Sequence, residues 1–240
     1  MIYKITSKQN DKVKDVVKLT NPSERNKRQQ FIVEGYHLLE MALADNSVQS
    51  LFTVKEIPNL DPSIDQYLVS EDILKKLSST KNPQGVVAIC SMRKPQPIKG
   101  DKVLYLDGVS DPGNMGTLFR TALAFGYKDI IVDNTCSMYN EKVISSSQGA
   151  IFKLNIVEGD LSTLKALKGY DILATEIKGS VSLDEVKPNN KHVLILGNEA
   201  HGVREEVLKL ATERIRIDIK DIESLNVAIA GAICMYALNK

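Results

Sequence analysis

Residues 108 to 126 read Gly108-Val-Ser-Asp-Pro-Gly-Asn-Met-Gly-Thr-Leu-Phe-Arg-Thr-Ala-Leu-Ala-Phe-Gly126 (GVSDPGNMGTLFRTALAFG). The stretch follows an apolar run, VLYLD at 103 to 107, and its own apolar spacing predicts a helix, so it is the turn of a strand-to-helix unit. Two phosphate-binding loops compete for such a turn. A Walker loop sets Lys and Ser/Thr directly after its second glycine. Here Asn114 and Met115 follow Gly113, the cation for the terminal phosphates is missing, and that reading is rejected. A dinucleotide fingerprint needs GxGxxG, and the glycines at 108, 113 and 116 lack the tight-turn pair. Asp133, at the end of the next apolar run, still stands where a ribose-binding acid is expected, so this reading is weakened rather than eliminated.

Two polar residues stand out in the predicted helix: Asn114 at its entrance and Arg120 among Leu, Phe, Ala and Thr. Taken alone they read as a helix-capping asparagine and a snorkelling arginine. Two further stretches change that weighing. In Val193-Leu-Ile-Leu-Gly-Asn-Glu-Ala-His-Gly-Val-Arg204 an apolar strand ends in Gly197 and Glu199 follows at once. That is the carboxyl edge of a parallel strand, where ligands bind in open α/β sheets, and glycine lets backbone approach a ligand. In Ile222-Glu-Ser-Leu-Asn-Val-Ala-Ile-Ala-Gly-Ala-Ile-Cys-Met-Tyr-Ala-Leu238, Ser224 is the expected N-cap. The helix after it is apolar on nearly every side and is expected to be deeply buried. Asn226, at its mouth, needs hydrogen-bond partners that a ligand site would supply.

The remaining chain sets the frame. With 240 residues, 43% of them apolar, there is enough material for two domains with their own cores. The two prolines and the glycine of 92 to 101 (MRKPQPIKGD) read as a linker between a domain at 1–91 and a domain at 102–240. Before the linker, FIVEG, SLFTV and GVVAI read as strands and YHLLEMALA and EDILKKLSS as helices, a small α/β domain. After it, VLYLD, DIIVD, DILATE, HVLILG and RIRID alternate with helical segments, which implies a mostly parallel, covered sheet. Cys90, Cys136 and Cys234 are scattered and odd in number, which fits a reducing cytoplasm and neither disulfides nor a metal knuckle. No apolar run is long enough to span a bilayer, and His37, His192 and His201 make no metal-binding spacing. The reading is a soluble cytoplasmic protein without membrane or metal.

The formal charge of +1 excludes a uniformly basic nucleic-acid coat. It hides a local excess: in the first thirty residues Lys4, Lys8, Lys12, Lys14, Lys18, Arg25, Lys27 and Arg28 face only Asp11, Asp15 and Glu24, or 8 minus 3. Such a cluster is a solvated helix surface unless other features point to RNA.

Taken together, NxGTLxRTA at 114–122, LGNExxG at 196–202 and ESLNVAxA at 223–230 resemble, in order and spacing, the three motifs of the SpoU (TrmH-like) branch of the SPOUT RNA methyltransferases. Upstream, ITSKQNDKVKDVVKL, FIVEG and STKNPQGVVAI resemble the L30e-like substrate-binding domain that many members carry. The resemblance implies a C-terminal SPOUT α/β domain closed by a trefoil knot, preceded by a small L30e-like α/β domain. It implies S-adenosyl-L-methionine as cofactor, held near Thr175, Gly197, Ile217, Leu225 and Asn226. It further implies methyl transfer to a ribose 2′-hydroxyl of RNA, ribosomal more than transfer RNA, by a homodimer. By the same resemblance Arg120, Asn114, Glu199, Ser224 and Asn226 form the catalytic set. A guanidinium resists deprotonation, so Arg120 is read as a clamp on phosphate and developing negative charge rather than a base. One stretch departs from the family: Ile217-Asp-Ile-Lys-Asp-Ile-Glu-Ser lacks the usual proline and loop glycine and is one residue shorter. A transfer-RNA methyltransferase and a catalytically inactive RNA-binding homologue are the alternatives.

Overall fold

The computed structural model describes residues 1–80 and 82–239. Lys81, within the STKNPQGVVAI stretch, and Lys240 lie outside the described residues. Along the chain run β1 (Ile2–Ile5), α1 (Asp11–Lys18), α2 (Pro22–Arg28), β2 (Gln30–Glu34), α3 (Tyr36–Ala44), β3 (Val48–Thr53), β4 (Asp65–Val69), α4 (Glu71–Leu77) and β5 (Val86–Ser91). They are followed by β6 (Lys102–Asp107), α5 (Pro112–Ala124), β7 (Asp129–Asp133), α6 (Glu141–Ser147), β8 (Asn155–Glu158), α7 (Leu161–Lys165) and β9 (Asp171–Thr175). The chain closes with β10 (Val181–Ser182), β11 (His192–Leu196), α8 (Glu205–Leu208), β12 (Glu213–Arg216) and α9 (Val227–Ala237). Two compact units result, Met1–Lys94 with Tyr139–Phe152 and Pro95–Met138 with Lys153–Lys240.

The first unit is built on a five-stranded sheet ordered β1-β4-β3-β5-β2. Its helices start where the sequence supplies a side-chain acceptor: Asn10, Asn21 before Pro22, and Ser70 each accept a backbone N–H at the start of α1, α2 and α4. Val13, Val16, Phe52, Tyr67, Ile73 and Leu74 fill the core beneath. The segment Tyr139–Phe152 packs in this unit although sequence order sets it after the linker. Apolar chemistry explains it: Phe31 stands 4.7 Å from the Tyr139 ring and 6.1 Å from that of Phe152, centroid to centroid. Arg25 is buried and donates to the Leu19 and Thr20 carbonyls, so it is a brace for the α1–α2 turn and not part of a basic surface. Lys8, Lys14, Lys18 and Arg28 are engaged by Asp72, Asp11, Asp15 and Glu24 respectively.

The second unit carries a seven-stranded sheet ordered β10-β12-β9-β11-β6-β7-β8, with every pairing parallel. Its central strands are buried on both faces, which is why they read as continuous apolar runs. Short β8 and two-residue β10 sit at the edges and are too short to leave much periodic signal. Helix α9 packs on α5 and β11, and Gly231 makes this possible: a Cβ there would lie 2.5 Å from Leu118 Cδ2 and 2.6 Å from Leu196 Cδ1. The expectation that α9 is buried all round is corrected by the structure. Ile229, Ile233 and Tyr236, at i, i+4 and i+7, form an exposed apolar stripe, with Tyr236 60% accessible.

Candidate active site

Strand register gathers the motif residues at one edge of the second sheet. Ile215 of β12 pairs with Thr175 of β9, and Ile195 of β11 pairs with Ala174 of β9. Gly197 and Ile217 therefore leave neighbouring strands beside Thr175, at the carboxyl edge where parallel sheets bind ligands. Leu196 pairs with Leu106 and Asp107 with Asp133, so the ends of β6 and β7 continue the same edge.

Above this edge the three motifs meet through side chains. Glu199 accepts hydrogen bonds from Ser110 N at 3.1 Å, Ser110 Oγ at 3.0 Å, Asp111 N at 3.1 Å and Asn114 Nδ2 at 3.0 Å. Asn114 Oδ1 in turn accepts from Asn226 Nδ2 at 2.9 Å. The carboxylate sits against the amide groups that open α5, where a helix favours negative charge. Partial desolvation opposes its ionisation, but the bonds from Asn114 and the backbone prevail and hold its pKa down at about 2. Glu199 is thus an anion at any working pH, and it fixes the amide of Asn114 so that Oδ1 faces Asn226.

Helix ends explain how these residues are held. Asp111, not Asn114, is the N-cap of α5, accepting from Asn114 N at 2.8 Å, with Pro112 in the first turn. Asn226, not Ser224, caps α9, its Oδ1 accepting from Ala228 N at 2.9 Å and Ile229 N at 3.3 Å. The expected burial of Asn226 is corrected: it is exposed, and its amide is held by Asn114 and by its own helix. Ser224 is exposed and outside this network. Arg120 is exposed on α5. Thr175 donates its Oγ1 proton to the Ile195 carbonyl at 3.0 Å, and Leu225 and Ile217 are half-buried.

Gly197 serves a nearer partner than a ligand. A Cβ on it would lie 2.1 Å from the Gly202 carbonyl carbon and 2.2 Å from Val203 N, so glycine is needed for the 197–203 loop to fold onto itself. Asn198 and Gly202 close that loop with reciprocal backbone bonds of 2.9 Å. In the third-motif loop Asp221 adopts the left-handed conformation at φ 63°. Aspartate tolerates it better than most side chains.

The tie made by Asn198 is one that the motif pattern does not reveal. Asn198 donates to the Gly108 carbonyl at 2.8 Å and accepts from Ala200 N and His201 N, tying the first and second motif loops. Asp133 is 5% exposed, accepts from Tyr105 Oη at 2.5 Å and is ion-paired to Arg204, so it is not open to a ribose. The dinucleotide reading ends there. Among the described residues, no group of His, Cys, Asp and Glu could hold a metal ion, and no helix is long and apolar enough to cross a membrane.

A parallel α/β unit whose strand-edge loops converge on an Asn–Glu–Asn array defines the class, and comparison with known proteins names it. Residues 101–236 match the SpoU rRNA Methylase family, and residues 10–88 match an MRM3-like substrate binding domain. The chain belongs to the SpoU rRNA methylase family. It is 36% identical to the 23S rRNA (guanosine(2553)-2′-O)-methyltransferase RlmP of Bacillus subtilis, over 98% of each chain. It is 35% identical to an uncharacterized tRNA/rRNA methyltransferase of Synechocystis, over 98% of this chain and 93% of the other. The crystal structure of an AdoMet-bound rRNA methyltransferase from Sinorhizobium meliloti superposes with a TM-score of 0.89 at 28% identity, covering 99% of this chain and 97% of that one.

Proposed function

We propose that this protein transfers a methyl group from S-adenosyl-L-methionine to the 2′-hydroxyl of a guanosine in large-subunit ribosomal RNA. The observation that carries the reading is the Glu199–Asn114–Asn226 array, in which Asn114 of the first motif links Glu199 of the second to Asn226 of the third. The substrate class rests on the likeness to RlmP along the whole chain.

The strand-edge residues suit the cofactor. The loops after Thr175, Gly197 and Ile217 offer backbone donors and acceptors to a nucleoside, and half-buried Leu225 and Ile217 offer apolar contact for adenine. The cofactor supplies an electrophilic methyl on a sulfonium. The protein must then hold the ribose hydroxyl in line and stabilise the oxygen as its proton leaves. Arg120 is suited to stabilising that oxygen. Exposed on α5, two turns beyond Asn114, it clamps the phosphate next to the target ribose and offsets developing negative charge. Asn114 and Asn226 hold each other's amides at the start of α9.

The exposed stripe Ile229, Ile233 and Tyr236 supports a homodimer formed through α9, since an apolar helix face of this kind is covered in a stable protein. Helix α9 follows β12 yet packs on α5 and on β11, which lies beyond β9 in the sheet, and this supports the knotted closure of the family. The first unit, with Lys4, Lys12 and Lys27 exposed, docks the RNA, and the enzyme acts in the cytoplasm.

Incubation with methyl-labelled S-adenosylmethionine and unmethylated ribosomal RNA, then digestion to nucleosides, tests the reading. Label in 2′-O-methylguanosine supports it. Label on a base, or in transfer RNA alone, overturns the acceptor or the substrate.

A further inference from the structure

We propose that Arg204 is a positioning residue for this reaction: by bridging Asp107 and Asp133 it fixes the Gly197–Arg204 loop to the Gly108–Asn114 segment and so sets Glu199, Asn114 and Asn226. The inference rests on the methyltransferase reading for its kinetic arm alone.

Asp107 and Asp133 occupy paired positions on β6 and β7 and are 1% and 5% exposed. Two carboxylates so placed repel each other unless a cation lies between them. Arg204 is that cation. Its Nε donates to Asp107 Oδ1 at 2.6 Å, its Nη2 pairs with Asp133 Oδ2, and Tyr105 Oη donates to that same Asp133 oxygen at 2.5 Å. The backbone joins in, with Arg204 N donating to Asp107 Oδ2 at 2.7 Å. This two-point grip holds the main chain at residue 204, not merely its charge.

The same loop is hung at its other end from Asn198, which donates to Gly108 O, and Glu199, which accepts from Ser110 and Asp111. Between the two ends the loop is closed on itself by the Asn198–Gly202 bonds. It is a stiff body attached at two places, so loss of either leaves it free to swing about the other. Glu199 is on that body, and Asn114 takes its orientation from Glu199.

The test separates positioning from charge balance. Asp107, Asp133 and Arg204 together carry one net negative charge, and the double variant R204M/D133N carries the same. The expected result is a double variant that still folds, with a lowered melting temperature, RNA KM within a few-fold and kcat down about a hundredfold at a temperature where both proteins are folded. The Ser110 and Asp111 amides should exchange hydrogen faster. Wild-type kcat together with wild-type protection would overturn the proposal, leaving Arg204 as a counter-ion only. Should the double variant fail to fold, Arg204→Lys decides, since an ammonium keeps the charge but cannot repeat the fork. A several-fold fall in kcat with faster exchange is expected, and full turnover with unchanged exchange overturns the idea. If the wild-type protein methylates no RNA, the functional reading fails while the exchange measurement still decides the joint.

Discussion

Asn226 Nδ2 donates to Asn114 Oδ1 at 2.9 Å, joining the entrances of two helices 112 residues apart in the chain. The same Asn226 closes the first turn of α9 through its Oδ1. One side chain thus ends a helix and completes the polar array. Asn226→Ala should cost about 1 kcal/mol as a lost cap, and it should also release Asn114. Asn226→Asp keeps the cap but turns an anion toward Asn114 Oδ1, so stability should largely survive while kcat falls about tenfold or more. Thermal melts beside single-turnover methylation rates distinguish the two effects, and equal kinetics for Asp and Asn would refute the Asn226–Asn114 link.

Glu199 gives a pH signature. Its pKa is depressed in the folded protein, from an ordinary 4.5 to about 2, so its hydrogen bonds stabilise the fold at neutral pH. That contribution is present above about pH 4.5 and is lost as pH falls toward about 2. Glu199→Gln should be less stable than wild type at pH 7, with the gap closing in that acidic window. Denaturant titrations at about pH 7, 4 and 2.5 would show it, and a gap independent of pH would contradict the hydrogen-bond assignment.

At Gly197 the obstacle is backbone, which cannot rotate away as a side chain can. Gly197→Ala should cost about 1–3 kcal/mol and weaken cofactor binding measured by calorimetry, because the whole 197–203 loop must shift. Unchanged melting and binding would mean the loop opens at little cost.

Asp221 holds a left-handed conformation in the loop where the family usually carries glycine. Asp221→Gly should be neutral within about 0.5 kcal/mol, whereas a β-branched valine there should lose about 1–2 kcal/mol. Melting curves of the two variants check this, and equal effects would place residue 221 outside the left-handed region.

What the sequence exposes and what it hides follow from the range of the interactions. The apolar runs of β6, β7 and β11 are buried on both faces, and each motif is a short local pattern, so sheet class and Asn114, Glu199 and Asn226 can be read directly. The Arg204 bridge cannot be. Its partners lie 97 and 71 residues away, and Asp133 mimics a ribose-binding acid because both roles ask for a carboxylate at a strand end. Arg25 counts as basic in any charge sum, yet tertiary packing makes it a buried donor to two carbonyls. The α9 stripe misleads in the opposite sense: apolar residues on every side imply burial, and within one chain Ile229 and Tyr236 remain exposed.

If the three motif loops form one site for methyl transfer to RNA ribose, Arg120 acts on the RNA rather than on the cofactor. Wild type and Arg120→Ala should therefore be compared for two quantities in parallel: label transferred from S-adenosylmethionine to ribosomal RNA, recovered as 2′-O-methyl nucleoside, and cofactor affinity by calorimetry. The expected result is 2′-O-methyl label with wild type, none above background with the variant, and cofactor affinity the same within a few-fold. Turnover by Arg120→Ala within a few-fold of wild type, or label found on a base, would contradict this assignment.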